Sequence, residues 1–171
     1  MKNLYLIGMM GCGKSTCAGL LGERLRLNVL DTDGEIVRET GMTVSELFAR
    51  YGEAHFRDLE TDLCRRLART GDTVVACGGG LPLRAENRNL LKDSGTVIFL
   101  RRDPGKIYDT ADMSGRPLGQ GGREDFLLRY AGREPVYLSA AGITIGDFDT
   151  PEETVEEILR RLQKEGLWNR D

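Results

Sequence analysis

The chain contains one histidine, His55, and four cysteines, no two of them spaced as CxxC. A His/Cys metal centre therefore has few ligands to draw on. The plain reading of Cys12, Cys17, Cys64 and Cys77 is free thiols in a reducing cytosol. His55 has no serine or cysteine partner pattern, so a partly exposed helix position is expected rather than a catalytic one. Long apolar runs are missing as well. The early run Leu4 to Ile7 breaks at Gly8 and is soon followed by Lys14, so neither a membrane span nor a secretory leader is expected. Excess charge of either sign is small: 24 Lys and Arg against 27 Asp and Glu give a net charge of −3. That balance does not favour nucleic acid, although it leaves room for a local basic pocket. There is a single tryptophan, Trp168, expected either to pack the last helix or to lie in a tail. No internal repeat, long linker or low-complexity segment interrupts the chain.

What remains is 171 residues, 40% hydrophobic and 30% charged, the balance of one globular domain of ordinary size. Short apolar runs at 2–7, 28–31, 73–77, 96–100 and 142–145 read as strands. Helical patterns fall between them at 15–25, 34–40, 44–51, 53–70, 84–92, 104–110, 124–140 and 151–164. Pro135 is expected to disturb the seventh of these, and the glycine-rich stretch 114–122 reads as a loop. Thr150, Pro151 and Glu153 form a capping-box start for the last helix. Strands alternating with helices predict a three-layer α/β/α fold around a parallel sheet, its strands covered on both faces.

The strongest motif is Gly8-Met9-Met10-Gly11-Cys12-Gly13-Lys14-Ser15, which fits GxxxxGK[ST] between a predicted strand and a predicted helix. Glycines let backbone N–H groups curl round an anion, and the helix N-terminus adds the positive end of its dipole. Lys14 can reach the outer phosphates and Ser15 can offer a hydroxyl to Mg²⁺. Cys12 and Cys17 flank the loop, as redox control or as small buried filler.

Asp31 and Asp33, at the end of the second strand, point the same way if the backbone is extended. One can hold Mg²⁺ through water and the other can bind an acceptor hydroxyl and take its proton. Alternatively Asp33 only caps the helix that follows. Glu53, Arg57 and Glu60 share a helical face, either as a solvated ion-pair stripe or as a site in which Glu60 steadies Arg57 against an acidic substrate. Arg129 and Arg133 lie one turn apart. Arg116, in the glycine-rich loop, is either a solubility residue or a lid arginine over the transferring phosphate.

Together GMMGCGKST (8–16), LDTD (30–33), GEAHFRDLE (52–60), ACGGG (76–80), GRPL (115–118) and REPVY (133–137) resemble the shikimate kinases over nearly the whole chain. The resemblance implies a P-loop fold like that of nucleoside monophosphate kinases, with sheet order 2-3-1-4-5. It implies a monomer with a substrate-binding segment at about 31–60 and a lid at about 110–123. It implies transfer of the ATP γ-phosphoryl group to the 3-hydroxyl of shikimate, with Mg²⁺. By position, it assigns ATP to Gly11, Cys12, Gly13, Lys14, Ser15, Thr16 and Arg116, and the metal to Ser15 and Asp31. It assigns shikimate to Asp33, Arg57, Gly78, Gly79, Gly80 and Arg133, and catalysis to Lys14, Asp33 and Arg116. The three glycines are expected to let the backbone approach the ring. The family often carries an arginine six or seven residues before the lid RPL, where this chain reads Tyr108-Asp109-Thr110-Ala111. Asp149-Thr150-Pro151 is a candidate part of an adenine pocket. A gluconate-type kinase of the same fold should lack the two substrate arginines, and a nucleotide-binding module without transfer activity leaves Asp33, Arg57 and Arg133 unexplained.

Overall fold

A computed structural model describes residues 1–111 and 121–168. In chain order the elements are β1 (Asn3–Ile7), α1 (Lys14–Leu25), β2 (Asn28–Asp31), α2 (Thr32–Thr40), α3 (Val44–Tyr51), α4 (Glu53–Leu67) and β3 (Thr73–Ala76). A 3-10 turn at Leu81–Leu83 leads into α5 (Ala85–Ser94), β4 (Gly95–Leu100), α6 (Pro104–Thr110), α7 (Gly122–Ala140), β5 (Ile143–Ile145) and α8 (Pro151–Lys164). The five strands form one sheet in the order β2-β3-β1-β4-β5, every pairing parallel, as expected. Among the described residues no helix is long and apolar enough to cross a membrane.

Central strands β1 and β3 are buried throughout, which their uninterrupted apolar runs demand. β2 departs from that expectation. It is an edge strand with one neighbour, and Asn28 and Val29 are exposed. At the base of β1, buried Asn3 donates from Nδ2 to the carbonyl of Leu67 at 2.9 Å and accepts from the Thr73 N–H at 3.2 Å. The same Leu67 carbonyl accepts from Thr70 Oγ1 at 2.9 Å. α4 ends at Leu67 rather than running on to Thr70, because the Arg69 and Thr70 N–H groups bond the carbonyls three residues back, on Arg66 and Leu67, and tighten the last turn.

Two further differences bear on function. The helix expected to start at Gly34 starts at Thr32, because Asp31 accepts from the Gly34 N–H at 3.1 Å and acts as N-cap. The capping role considered for Asp33 therefore belongs to Asp31, and Asp33 sits in the first helical turn rather than on an extended strand. α7 runs unbroken through Pro135. Tyr130 and Arg133 before the proline and Tyr137 after it are all buried, and this packing offsets the missing backbone hydrogen bond. Trp168 packs against the core, the first of its two expected placements. His55 stacks on Tyr51 at 4.8 Å between ring centroids and is exposed, as expected. The predicted loop 114–122 and its Arg116 fall almost wholly outside the described residues.

Candidate active site

The C-terminal ends of β1, β2 and β3 deliver two loops and the first turn of α2 to one side of the sheet, the usual place for ligands in open α/β sheets. After β1 the chain needs Gly8, Gly11 and Gly13 at φ 149°, 80° and 94°, conformations that side-chain-bearing residues avoid. A Cβ on Gly8 would also meet the Leu100 carbonyl at 2.9 Å. The loop closes on itself through Lys14, whose Nζ donates to the carbonyls of Gly8 and Met9 at 2.8 Å each. Nearly buried, that ammonium is a fixed positive charge at the N-terminus of α1.

Ser15, in the first turn of α1, donates from Oγ to Asp31 Oδ2. Asp31 thus ties the phosphate loop to α2, with one carboxylate oxygen on each. A hydroxyl and a carboxylate side by side suit Mg²⁺, which takes one or two protein oxygens and completes its shell with phosphate and water. They do not suit a metal bound wholly by protein, and no cluster of three His, Cys, Asp or Glu among the described residues could hold one.

Beyond this corner opens a cleft of about 670 Å³. Gly11, Gly13, Lys14, Ser15, Thr16 and Asp31 line one end, and Asp33, Arg57, Gly78, Gly79, Gly80 and Arg133 the other. Asp31 and Asp33 therefore do face one cleft, although by a helical turn rather than by strand alternation. Cys12 is placed differently. It is buried beneath the loop, 3.7 Å from Lys14 Nζ, and lines a separate hollow of about 60 Å³ on the far side, as do Arg102, Thr150 and Pro151. Burial pushes the Cys17 thiol up to about 11 and that of Cys64 up to about 12, so both stay protonated.

At the far end, α4 supplies Arg57 and Glu60, and α7 supplies Arg133. Glu60 is fully buried and accepts from Arg57 Nη1 through Oε2 at 2.8 Å, while Arg57 Nη2 reaches Glu53 at 3.0 Å. The stripe read from sequence is thus an inward-facing clamp rather than a solvated surface pair. Burial opposes the Arg57 charge, but the two glutamates outweigh burial and hold the guanidinium above its ordinary value. For Glu60 burial dominates. Its carboxyl is pushed up to about 7, with the charge of Asp33 adding to the rise and Arg57 and Arg133 opposing it.

Gly78, Gly79 and Gly80 are the floor on which these side chains sit. A Cβ on Gly78 would stand 2.5 Å from Asp33 Oδ1 and 3.0 Å from Glu60 Oε1. One on Gly79 would stand 3.5 Å from Arg133 Nη1, and one on Gly80 2.4 Å from Arg57 Nη2. None of the three has a positive φ. The glycines are required for room, and the room is filled by the site's own acids and arginines. Thr32 Oγ1 accepts from the Gly78 N–H at 2.8 Å, and Tyr137 Oη donates to the Gly79 carbonyl at 2.6 Å, which pins the floor to α2 and α7. Sequence reasoning missed Thr32, and also Val44, Phe48 and Phe56, which form an apolar wall of the cleft. The wall's positions follow an ordinary core pattern, so nothing in the sequence distinguishes them. Arg133 Nη1 and Glu60 Oε1 are buried without a hydrogen-bond partner, as groups awaiting a polar ligand would be.

The family model described as "Shikimate kinase" matches residues 10–163. A shikimate kinase of Clostridium botulinum (strain Alaska E43 / Type E3) is 40% identical over 161 residues, 94% of this chain and 97% of that protein. Among solved structures, a shikimate kinase from Acinetobacter baumannii in complex with shikimate superposes with a TM-score of 0.91 at 32% identity, covering 98% of this chain and 96% of that one. A gluconokinase from Sinorhizobium meliloti 1021 superposes with a TM-score of 0.59 at 16% identity, a likeness of fold alone.

Proposed function

The chain belongs to the shikimate kinase family, and from that premise we propose which of its residues carry the reaction. The enzyme phosphorylates shikimate with ATP, and the 3-hydroxyl is the acceptor. Arg57 and Arg133 bind the shikimate carboxylate, since a guanidinium fork matches a carboxylate in charge and geometry. Asp33 accepts a hydrogen bond from the 3-hydroxyl and takes its proton as the oxygen bonds to the γ-phosphorus and ADP departs. Lys14 neutralises charge on the phosphates from the N-terminus of α1. Gly11, Gly13, Ser15 and Thr16 hold the phosphate chain with backbone and hydroxyl groups, and Cys12 packs beneath them. Gly78, Gly79 and Gly80 let backbone and ring approach. Ser15 and Asp31 would hold Mg²⁺, which supplies charge neutralisation to the phosphates when bound. Arg116 meets the transferring group from the lid at about 110–123.

We assign adenine to the surface beside Cys12, between Arg102 just after β4 and Thr150-Pro151 at the start of α8, where the hollow is too small to enclose the base and would only seat one edge of it. This gives the base a cation without an arginine at 108–111. The 171 residues act as one kinase domain, a cytoplasmic monomer with no nucleic-acid or membrane partner.

The observation that carries this reading is that Arg57 and Arg133, from different helices, stand over consecutive glycines in the same cleft as Lys14 and Asp31. ADP release measured in parallel with shikimate, quinate, gluconate and nucleoside monophosphates tests it. Shikimate should give the highest kcat/KM. A background rate with shikimate beside turnover of another acceptor would overturn the reading.

A further inference from the structure

Glu60 is an unusual group for an acceptor site. It has no exposed surface, yet a charged substrate must come to rest within a few ångströms of it. Only one of its oxygens is engaged, Oε2 on Arg57, while Oε1 is buried without a hydrogen-bond partner. The groups around it come from every neighbouring element. α4 contributes Arg57 and the thiol of Cys64, with Glu53 half-exposed at the rim. α2 contributes Asp33, the end of β3 contributes the thiol of Cys77, and α7 contributes Arg133.

Arg57 and Arg133, with Arg129 one turn from Arg133, face fully buried Glu60 and half-buried Asp33 across the glycine floor, with Glu53 at the rim. A shikimate carboxylate brings one more anion to this set, in a place where desolvation makes an uncompensated charge costly. Three outcomes could restore balance: expulsion of the ligand, recruitment of another cation, or protonation of one acid. Glu60 is the group best suited to the third. It is the most deeply buried, its free oxygen can take a proton without breaking the bond to Arg57, and burial already holds its carboxyl at about 7. Arriving negative charge can only raise that value further.

We propose that shikimate binding is coupled to uptake of one proton from solvent by Glu60, which becomes neutral as the substrate carboxylate takes over its share of Arg57 and Arg133. Glu60 is on this view a positioning residue. Charged, it aims Arg57 across the cleft; neutral, it leaves the guanidinium to the ligand. The inference rests on the shikimate-binding reading above, and no covalent bond changes in the step beyond the new O–H.

Linkage gives the sign. A group that holds its proton more tightly in the complex makes binding weaken as pH rises above its value in the free enzyme. Titration calorimetry of shikimate into the intact protein, near pH 7 and in buffers of different protonation enthalpy, counts the proton directly. With the free-enzyme carboxyl at about 7, uptake of about half a proton is expected at pH 7. The Kd should rise roughly tenfold from about pH 6.5 to about pH 8.5. Glu60→Gln, which keeps an acceptor oxygen for Arg57, should bind shikimate with no buffer-dependent heat and a flat pH profile. Asp33→Asn should retain the uptake. Binding by the wild type without proton uptake would overturn this inference and leave the assigned function standing. Uptake that persists in Glu60→Gln, or vanishes in Asp33→Asn while persisting there, would overturn it too. If Glu60→Gln does not fold, the wild-type proton count alone decides. No binding of shikimate at all would sink both readings together.

Discussion

The two ends of the cleft are built in opposite ways. The donor end is a single stretch of backbone, residues 8–16, held in shape by left-handed glycines and by a lysine that bonds its own loop. The acceptor end is assembled from side chains on α2, α4 and α7 that meet over three glycines whose backbone angles are unremarkable. A phosphate chain is the same in every nucleotide, so local backbone geometry suffices to hold it. An acceptor must be told from other acceptors, and that takes charges at fixed separations in three dimensions.

The contrast predicts that damage stays within the end where it is made. The largest effects fall on the chemistry shared by both ends. Asp33→Asn should lower kcat by roughly 10²- to 10⁴-fold with little change in the KM for ATP. Lys14→Ala should lower kcat by about 10²- to 10³-fold and raise the KM for ATP. Initial-rate kinetics separate the two, and a shifted KM for ATP in Asp33→Asn would blur the boundary.

Next in size is a stability effect peculiar to the acceptor end. Arg57→Ala leaves Glu60 buried without its cation, which should cost about 3 kcal/mol of folding stability. Denaturant melts at neutral pH read this, and an unchanged midpoint would mean that Glu60 had found other company. Smaller still is Gly80→Ala. Its backbone at φ −96° tolerates a side chain, but the Cβ would meet the Arg57 guanidinium at 2.4 Å and push it aside. The KM for shikimate should rise roughly tenfold, with kcat much less affected.

How much of this the sequence reveals follows from the same contrast. The parallel sheet, its helices and the phosphate loop are legible because each depends on neighbours in the chain: apolar runs, caps and glycine spacing. Arg57 and Glu60 are legible as one helical face, but not as an inward-facing one, because periodicity does not say which face is covered. Asp31 and Asp33 lead to the right cleft through the wrong geometry, since Asp31 capping Gly34 starts the helix two residues earlier than expected, at Thr32. Thr32 and the apolar wall of Val44, Phe48 and Phe56 carry no local signal, because their roles exist only once α2, α3 and α4 have packed. Pro135 misleads for the same reason: buried packing on both sides outweighs a local rule.

We assign substrate choice to the acceptor-end arginines, separably from ATP binding. Arg133→Ala tests it most cleanly, because Arg133 Nη1 is without a protein partner and its removal deprives Glu60 of no hydrogen bond. Steady-state kinetics with each substrate varied should show the KM for shikimate raised roughly 10- to 100-fold, and the KM for ATP within about twofold of the wild type. An unchanged KM for shikimate, or a KM for ATP raised in step with that for shikimate, would contradict this separation.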